Sequence, residues 1–247
     1  MFVSIIIAVK NAGDLLKETL ESIQVQTYPN IEVIVIDGNS TDNTLSVIQA
    51  FPHLIKSYIS EADEGISDAF NKGIRLAKGD YINFQGAGDT LVSSTSIEML
   101  FSGLDENYQL ICGKIIRVQE DGQTPIWVAP KETKFKKNSL LFKMSLPHQG
   151  LFTHRSFFTK FGEFNKQIKF SMDYELLLRA YHDFPKTIVK DVLVSRWRAG
   201  GVGTNRISEI LDEYHQIKLR HRIASPLILN LIHKLNCFKF FIKKHLK

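Results

Sequence analysis

The sequence has few cysteines and no segment that resembles a targeting or anchoring signal. Its 247 residues include two cysteines, Cys112 and Cys237, which show no metal-ligand spacing and have no partners nearby in sequence. A disulfide framework is therefore not expected, and a reducing compartment fits this composition. The N-terminus runs directly into an apolar strand without a basic region or cleavage site, and no apolar run approaches the roughly 20 residues of a membrane-spanning helix. We expect a cytoplasmic protein.

Glycine, proline and low-complexity tracts are also scarce, which argues against extensive disorder outside the C-terminus. The chain contains 15 glycines and 7 prolines, and no internal repeat is visible. Its 44% of hydrophobic residues supply ample apolar material for one core, and α/β folds often reach about 250 residues as a single unit. We predict one main domain over residues 1–205, with halves 1–90 and 91–205, and an extension over residues 206–247.

Acidic residues are absent after Glu213, so the C-terminal tail is basic although the whole chain carries a net charge of only +5. Apolar clusters alternate with lysines over residues 225–247, which predicts a basic amphipathic helix. Such a helix binds an anionic membrane surface, where each lysine contributes about 1 kcal/mol. The alternative is a helix that packs on the body with a solvated lysine face. Nucleic acid is not a predicted partner, because no recognisable binding module accompanies the charge.

Strands and helices alternate through the first ninety residues. Continuous β-branched runs are typical of strands buried on both faces, and the segments between them have helical spacing. This alternation predicts an α/β fold with a mostly parallel central sheet flanked by helices. The predicted strands are Val3–Val9, Ile31–Ile36, Ser57–Ser60 and Tyr81–Phe84, and the predicted helices are Gly13–Gln26, Ser40–Ala50 and Ile66–Lys78.

The pattern loosens in the remainder of the chain. Leu110–Arg117 and Thr124–Ala129 resemble a small antiparallel pair, and Ser171–Phe184 has the spacing of an amphipathic helix. Ser94–Gly103 is also predicted to be helical. Arg196–Asn205 is predicted to be a glycine-rich loop, and the residues after it to form a C-terminal helical tail.

Polar side chains follow each of the four early strands. Asn11, Asp37, Asp63 and Asp89 all fall at or just after a predicted strand end. Ligands bind open α/β sheets beyond the carboxyl ends of their strands. The clustering therefore predicts a ligand site at this edge of the sheet.

Four segments, in order and at characteristic spacing, carry a resemblance to a known family. They are Ser4-Ile-Ile-Ile-Ala-Val-Lys-Asn11, Gln26-Thr-Tyr-Pro-Asn-Ile-Glu32, Val35-Ile-Asp-Gly-Asn-Ser-Thr-Asp-Asn-Thr44 and Glu61-Ala-Asp-Glu-Gly-Ile-Ser-Asp-Ala-Phe-Asn-Lys-Gly73. The chain resembles the family 2 inverting glycosyltransferases, which share the glycosyltransferase-A fold. The match extends to about Asn205. It implies a glycosyltransferase-A fold with a Rossmann-like nucleotide-binding half, and a nucleotide-sugar donor as a partner.

The resemblance places the nucleotide base near three residues. Asp37 is positioned to accept the imide N–H of the base, with a helix-capping aspartate as the alternative. Ala8 and Asn11 border the base, although Asn11 is also explained as a turn residue without ligand contact.

The resemblance assigns the ribose and the donor sugar to the next loop and helix. Lys72 is the i+4 neighbour of Asp68, so an ordinary surface ion pair competes with a diphosphate contact for this lysine. The residues that line this part of the site are Asp63, Asp68, Asn71 and Lys72.

One turn departs from the family pattern. Transferases of this fold usually carry an Asp-x-Asp turn that holds Mg²⁺ or Mn²⁺ on the diphosphate, because hard cations prefer oxygen ligands. Here Gly86 and Gly88 occupy the two positions, and only the following Asp89 is a carboxylate. Asp89 is the predicted ligand of Mg²⁺ or Mn²⁺. The alternatives are a metal-independent, weak or inactive enzyme.

An inverting transfer also needs a base near the acceptor hydroxyl. By resemblance Asp173 holds this position at the start of a helix, and Glu175 is the reserve candidate. A carboxylate in the first helical turn is also explained by the helix dipole.

Three further residues are assigned to the acceptor and diphosphate. His148 binds acceptor or phosphate, or else holds its loop. Trp197 is available to stack on a sugar ring, and Arg198 to supply charge over the diphosphate.

These expectations together predict an inverting transferase that uses a nucleotide-diphospho-sugar as its donor. The predicted nucleotide of that donor is UDP. The predicted acceptor is a glycan or polyprenyl-linked intermediate of surface polysaccharide, reached at the inner face of the plasma membrane. Two rival interpretations remain. The missing Asp-x-Asp pair is compatible with a non-catalytic sugar-nucleotide-binding protein. A nucleotidyltransferase shares the architecture, but it would require a glycine-rich basic loop after the first strand. The residues at that position, Val9-Lys10-Asn11-Ala12-Gly13, do not supply one.

Overall fold

The computed structural model describes residues 1–104, 108–201, 203 and 206–245, with side chains up to residue 242. Strands and helices alternate as the sequence predicts. In chain order the elements are β1 (Val3–Val9), α1 (Gly13–Gln24), β2 (Ile31–Asp37), α2 (Thr44–Ala50), β3 (Ile55–Ser60), α3 (Ile66–Leu76), β4 (Tyr81–Gly86), β5 (Thr90–Leu91), α4 (Ser96–Phe101), β6 (Leu110–Val118), β7 (Pro125–Ala129), β8 (Leu151–His154), α5 (Arg155–Phe161), α6 (Met172–Arg179), β9 (Thr187–Arg198), α7 (Ile207–Arg220) and α8 (Pro226–His245).

One sheet of nine strands organises the described chain. Its order is β3-β2-β1-β4-β8-β6-β9-β5, with β7 paired to the outer part of β6. The strands β3, β2, β1 and β4 run parallel, whereas β8 joins β4 and β6 in antiparallel pairs. β6 and β9 are again parallel. The sheet thus has a parallel half and a mixed half beside it.

The central strand divides two hydrophobic cores. Along β1 the side chains alternate, so Ile6 faces the core under α3, α5 and α6, and Ile5 and Ile7 face the core under α1 and α4. All three isoleucines are fully buried. A strand covered on both faces requires the continuous apolar run seen in the sequence, because neither face contacts water.

A buried polar network ties the amino ends of the strands together. Ser4 Oγ on β1 donates to Glu32 Oε1 on β2 at 2.5 Å and accepts from the N–H of Gly79. The same Glu32 oxygen accepts from the N–H of Lys78 at 2.6 Å. A buried carboxylate is stabilised only where such donors surround it. The network fixes this edge, opposite the strand ends that carry the predicted site residues.

Several predicted boundaries require correction. The second helix begins at Thr44 and not at Ser40, because Ser40 is bonded to Asp37 through both its N–H and its hydroxyl. The predicted helix over Ser171–Phe184 consists of α6 and a separate 3₁₀ turn, Tyr181–Asp183. The predicted loop at Arg196 begins inside β9, which continues to Arg198. Val202, Thr204 and Asn205 of that loop lie outside the described residues.

The C-terminal extension forms two helices that pack on the body. α7 contacts α6, and α8 packs along α7 with Leu229 and Ile232 buried between them. The opposite face of α8 is apolar and exposed. Among the described residues, no helix combines the length and hydropathy needed to cross a membrane. Lys247 lies outside the described residues.

Candidate active site

A cleft of about 1510 Å³ opens beside the carboxyl ends of β4 and β9. It is bounded by the turn after β4, the β6–β7 hairpin, the segment before α6 and the end of β9. Five residues predicted from the sequence line this cleft, which are Asp89, His148, Asp173, Trp197 and Arg198. The structure therefore brings the predicted metal ligand, base and acceptor-side residues together.

Asp89 is a buried carboxylate in the wall of the cleft. Its Oδ1 accepts the N–H of Arg198 at 3.1 Å, and its Oδ2 accepts the N–H of Gly86 at 3.1 Å and the Gln149 amide at 3.2 Å. Burial raises the pKa of Asp89 to about 6, although these donors oppose the shift. An ionised carboxylate offers about four lone-pair positions, and three are occupied here. One position on Oδ1 is left for an incoming ligand.

The two glycines before Asp89 determine what can bind there. Gly88 has a φ of +94°, which favours glycine, and a Cβ at Gly86 would lie 3.3 Å from Asp89 Oδ2. The turn therefore supplies one carboxylate where the family pattern has more, and Asp89, Arg198 and Leu15 lie next to the two glycines. This arrangement fits a divalent cation only if phosphate oxygens and water complete its shell, as Mg²⁺ commonly accepts.

Asp173 and His148 face the same cavity from opposite walls. Asp173 stands in the first turn of α6 and accepts the N–H of Tyr174 at 2.8 Å. Burial raises the pKa of Asp173, opposed by the nearby His148. Burial likewise lowers the pKa of His148, whose ring stacks on Phe84 at a centroid distance of 5.3 Å. Both groups are thereby shifted towards their neutral forms.

His148 carries a polar atom without a protein partner. Its Nε2 is buried and makes no hydrogen bond within the described part of the chain. Buried polar atoms in native proteins are nearly always hydrogen-bonded, so an orphan in a cleft marks a place for a ligand or water.

The other carboxylate of this helix has a different environment. Glu175 is buried and bonds Arg179 at 2.8 and 3.0 Å and His221 at 2.9 Å. Burial would raise the pKa of Glu175, but His221 and Arg179 hold it below its ordinary value. Its carboxylate is fully engaged between α6 and α7, whereas Asp173 lines the cleft.

Glu213 on α7 shapes the segment that leads to Asp173. Its two carboxylate oxygens accept the N–H groups of Lys169, Phe170 and Ser171 at 2.7, 3.0 and 2.8 Å. Three backbone donors on one carboxylate fix the path of the chain immediately before α6. Sequence reasoning missed Glu213, because this contact joins distant parts of the chain.

The end of β9 carries an aromatic and basic wall. Trp197 packs against Trp127 with ring centroids 5.7 Å apart, and the Arg117 guanidinium lies 4.2 Å from the Trp197 centroid. Arg198 bonds Glu18 at 2.5 Å, and its Nε is buried without a partner among the described residues. Trp127 and Arg117 were not predicted from the sequence, since pairing of β6, β7 and β9 creates this wall.

A second group of predicted residues lies along the carboxyl edge of β1, β2 and β3. Asp37 is fully buried and accepts the Ser40 hydroxyl at 2.5 Å and the Ser60 hydroxyl at 2.6 Å. Asn11 has a left-handed φ of 49°, and its side-chain oxygen accepts the N–H of Thr41 at 2.8 Å. Ala8 pairs with Ile36 on one side and Gly86 on the other. Seven predicted residues do not line the large cleft, namely Ala8, Asn11, Asp37, Asp63, Asp68, Asn71 and Lys72. Ala8 connects their edge of the sheet to the cleft, because it pairs with Gly86.

Asp63 approaches this edge over a glycine. A Cβ at Gly38 would lie 2.7 Å from Asp63 Oδ2 and 3.3 Å from Lys10, so the absence of a side chain at Gly38 permits the approach. Asp63 also accepts the N–H of Gly65 at 3.0 Å, which shapes the entry into α3. A carboxylate thus stands next to Asp37 on the neighbouring loop.

The three predicted residues of α3 are engaged by protein groups. Lys72 pairs with Glu61 at 2.8 Å and Asp68 at 3.5 Å, and Asp68 also pairs with Lys166 at 3.4 Å. Asn71 is buried, and its amide donates to the carbonyl of Phe164 and accepts from its N–H. In this structure all three brace the loop before α3 and the segment before α6.

Sequence comparison identifies the family. The sequence profile described as Glycosyl transferase family 2 matches residues 4–162. The chain therefore belongs to glycosyl transferase family 2, and it is a glycosyltransferase. A "PGL/p-HBAD biosynthesis glycosyltransferase" of Mycobacterium tuberculosis is 28% identical over 238 residues, which is 94% of this chain and 90% of that protein. "Glycosyltransferase GlyG" of Streptococcus pneumoniae is 36% identical over 107 residues, covering 42% of this chain and 35% of that protein.

Solved structures agree on the fold. Staphylococcus aureus TarS 1-349 in complex with UDP-GlcNAc superposes with a TM-score of 0.71 at 17% identity, covering 94% of this chain and 70% of that one. The mannosyltransferase PcManGT of Pyrobaculum calidifontis, in complex with GDP-Man and Mn²⁺, has a TM-score of 0.66 at 19% identity, covering 94% and 68%. The predicted glycosyltransferase-A fold is thus confirmed.

Proposed function

We propose that this glycosyltransferase transfers a sugar with inversion from a nucleotide-diphospho-sugar to an acceptor hydroxyl in the cleft. The observation that carries the proposal is the meeting of Asp89 and Asp173 in one cavity. One carboxylate has a free lone-pair position towards a diphosphate, and the other is poised by burial for proton transfer. A base of this kind contributes about 10²–10⁴-fold to the rate.

The donor belongs at the carboxyl edge of β1 and β2. Asp37 is the proposed acceptor for a base N–H, and it would have to exchange a hydrogen bond from Ser40 or Ser60 for one from the base. Asp63 and Asn11 lie on the neighbouring turns. A uracil nucleotide fits an acceptor at this position, because its imide donates one hydrogen bond. The TarS structure contains UDP-GlcNAc, which supports UDP as the first donor nucleotide to test. Asp68, Asn71 and Lys72 position the loop along the ribose and sugar.

In the proposed reaction, each of the predicted cleft residues has a defined role. Asp173 takes the proton of the acceptor hydroxyl while that oxygen attacks the anomeric carbon from the face opposite the diphosphate. The bond between the anomeric carbon and the diphosphate oxygen breaks, and the nucleoside diphosphate leaves. Mg²⁺ or Mn²⁺ held by Asp89 would neutralise charge on the diphosphate when bound. Arg198 adds a guanidinium near this group, and His148 Nε2 donates or accepts at the acceptor.

The acceptor side suits a glycan, either free or carried on a polyprenyl lipid. Trp197 offers an aromatic face, and the basic residues Lys131, Lys134, Lys136 and Lys143 surround the opening of the cleft. A cationic rim favours an anionic acceptor such as a lipid-linked diphosphate intermediate of surface polysaccharide.

The outer face of α8 supports contact with an anionic membrane. Leu227, Leu231 and Phe238 have exposed fractions of 82%, 60% and 62%, and Lys234 and Lys239 accompany them. Apolar side chains flanked by lysines match an anionic bilayer surface. The inner face of α8 packs on α7, so the helix can serve both the body and the membrane at the cytoplasmic side.

The first experiment is calorimetric titration of UDP into the full-length protein with Mg²⁺, with Mn²⁺ and with EDTA. We expect binding that needs metal and that loses its metal dependence in Asp89→Asn, together with transfer to a polyprenyl-diphosphate-linked sugar. Metal-dependent UDP binding without transfer to any acceptor would favour the non-catalytic alternative that Gly86 and Gly88 suggest. Absence of UDP binding under all three conditions would overturn UDP as the donor.

Membrane contact has its own experiment. Full-length protein should co-sediment with phosphatidylglycerol vesicles and not with phosphatidylcholine vesicles. Lys234→Glu with Lys239→Glu should weaken this binding at least fivefold, since each lysine contributes about 1 kcal/mol. Leu45→Gln, at an exposed leucine of α2, serves as the matched control. Equal co-sedimentation of the charge-reversed variant would refute the proposed surface.

A further inference from the structure

The junction of α7 and α8 contains a cluster of metal-ligating side chains outside the cleft. Asp212 lies on α7, and His233 and Cys237 lie one turn apart on α8. One ligand atom from each residue lies within 4.8 Å of the others. The expectation that Cys237 has no partner nearby in sequence is therefore wrong, since His233 lies four residues before it and Asp212 joins them from another helix.

The three side chains are close enough to share a metal ion after a side-chain rotation. His233 Nε2 lies 3.4 Å from Asp212 Oδ1, and Cys237 Sγ lies 3.7 Å from Nε2 and 3.8 Å from Nδ1 of the same ring. A metal on Nε2 therefore requires Cys237 to rotate towards that nitrogen. Zinc–nitrogen and zinc–oxygen bonds of about 2.1 Å and zinc–sulfur bonds of about 2.3 Å place tetrahedral ligands about 3.3–3.6 Å apart. The His–Asp contact is long for a good hydrogen bond but has the length of a ligand–ligand edge.

The surroundings fix the orientation of the histidine. The ring of His215, one turn after Asp212, stacks on His233 with centroids 4.4 Å apart and planes at 13°. His215 is itself buried, and its Nδ1 makes no hydrogen bond within the described residues. Two helices therefore bring together a thiol, an imidazole and a carboxylate, and a second imidazole stacks on the first.

We propose that Asp212, His233 and Cys237 form a zinc-type site that fastens α8 to α7, with water as the fourth ligand. Nitrogen and sulfur donors select Zn²⁺ over the oxygen-preferring Mg²⁺ of the cleft. Water completes the shell on the side of Asp212, whose side chain has an exposed fraction of 66%. The site is distinct from the donor-binding edge and holds its metal whether or not a donor is present.

Binding is linked to ionisation of the thiol. Partial burial and then Asp212 raise the pKa of Cys237, so the metal-free site holds a neutral thiol at pH 7. Metal binding releases that proton, as thiolate is the form that ligates.

The test is titration of Co²⁺, a coloured substitute for Zn²⁺, into metal-free full-length protein. We expect one equivalent to produce a thiolate-to-cobalt absorption band, and Zn²⁺ to abolish it. Cys237→Ser should remove the band, and His233→Gln should raise the dissociation constant at least tenfold. Cys112→Ala, at the buried cysteine of β6, and Asp89→Asn should both retain it.

A second measurement separates a structural site from an adventitious surface ion. Zn²⁺ should slow amide hydrogen exchange across α8 in the unmodified protein and have no such effect in Cys237→Ser. Absence of the thiolate band, its survival in Cys237→Ser, or unchanged exchange with bound Zn²⁺ would each overturn the proposal. Circular dichroism confirms that each variant is folded.

Discussion

Two regions at the same edge of the sheet use carboxylates in contrasting ways. Along β1, β2 and β3, Asp37 is surrounded by hydroxyl and amide donors that stabilise its charge. In the cleft beside β4 and β9, Asp89 is buried and Asp173 is half-buried, and desolvation raises the pKa of both. Protein donors therefore occupy the Asp37 carboxylate and fix its position. Desolvation keeps the other two responsive to a ligand or a proton.

The comparison teaches that position at a strand end does not define a role by itself. Asp37 and Asp89 both lie at the ends of parallel strands, β2 and β4, and yet their surroundings differ. Variants should therefore divide into two groups, with loss of turnover in the cleft and loss of donor affinity at the β1–β2 edge.

The largest effect is expected for Asp173→Asn. The amide cannot accept the proton of the acceptor hydroxyl, so turnover should fall about 10²–10⁴-fold while the dissociation constant for UDP stays within twofold. Initial rates and calorimetry on the same preparation measure both. Asp183→Asn, at an exposed aspartate after α6, is the control. Near-normal turnover in Asp173→Asn would remove this residue as the base.

Asp89→Asn should have the next largest effect. The variant loses the carboxylate that is proposed to hold the metal at the diphosphate, so metal-dependent UDP binding should weaken about 10–100-fold. Loss of a residue that only supports a metal ligand commonly has an effect of this size, and loss of the ligand itself should have at least as large an effect. Binding measured in EDTA should not change. A variant that keeps full Mg²⁺ dependence would place the metal on other groups.

The pH dependence of the unmodified protein tests the same carboxylate. Because the pKa of Asp89 is about 6, metal-dependent UDP binding should decline as the pH falls from 7 to 5. The free energy of unfolding should change with pH in the opposite direction. A carboxyl with a raised folded-state pKa binds its proton more tightly when folded, so its contribution to the free energy of unfolding rises as the pH falls through 6. Urea unfolding without metal at pH 7 and pH 5, compared with Asp89→Asn, isolates this contribution.

Asp37→Asn should mainly affect donor affinity. Loss of a charge-assisted hydrogen bond costs about 1.5–3 kcal/mol, so the dissociation constant for UDP should rise about 10–100-fold with little change in turnover at saturation. Ser60→Ala removes one donor to Asp37 and should have a smaller effect. A fall in saturated turnover equal to that of Asp173→Asn would abolish the distinction between the two regions.

The smallest effect is expected at Trp197. Trp197→Phe retains an aromatic face beside Arg117 and should leave the acceptor KM within about threefold, whereas Trp197→Ala should raise it about three- to tenfold through loss of stacking and cation–π contact. Acceptor saturation curves at constant donor measure this. Equal KM values for the two variants would argue against stacking.

The parallel half of the fold was predictable because its strands are short apolar runs separated by clear turns. β9 was harder to predict, since Lys190, Asp191 and Arg196 interrupt its apolar pattern and its last residues line the cleft. Ser40 was predicted to cap the start of α2, but it is hydrogen-bonded to Asp37, and α2 begins at Thr44.

Candidate residues within the family motifs were predictable one at a time. Their supports were not, because Gln149 reaches Asp89 and Glu213 reaches Ser171 across 60 and 42 residues. Cys237 illustrates the same limit. The spacing to His233 is visible in the sequence, but the carboxylate of Asp212 joins them only after α7 and α8 pair.

The grip of Glu213 on the chain before α6 has a mechanical consequence. Three backbone N–H groups depend on this one carboxylate of α7, and α7 in turn holds α8. A movement of the paired helices α7 and α8 would be transmitted, through the hydrogen bonds of Glu213, to the chain immediately before α6. Asp173 lies in the first turn of that helix. A displacement of α7 and α8 would therefore also displace the backbone that precedes Asp173.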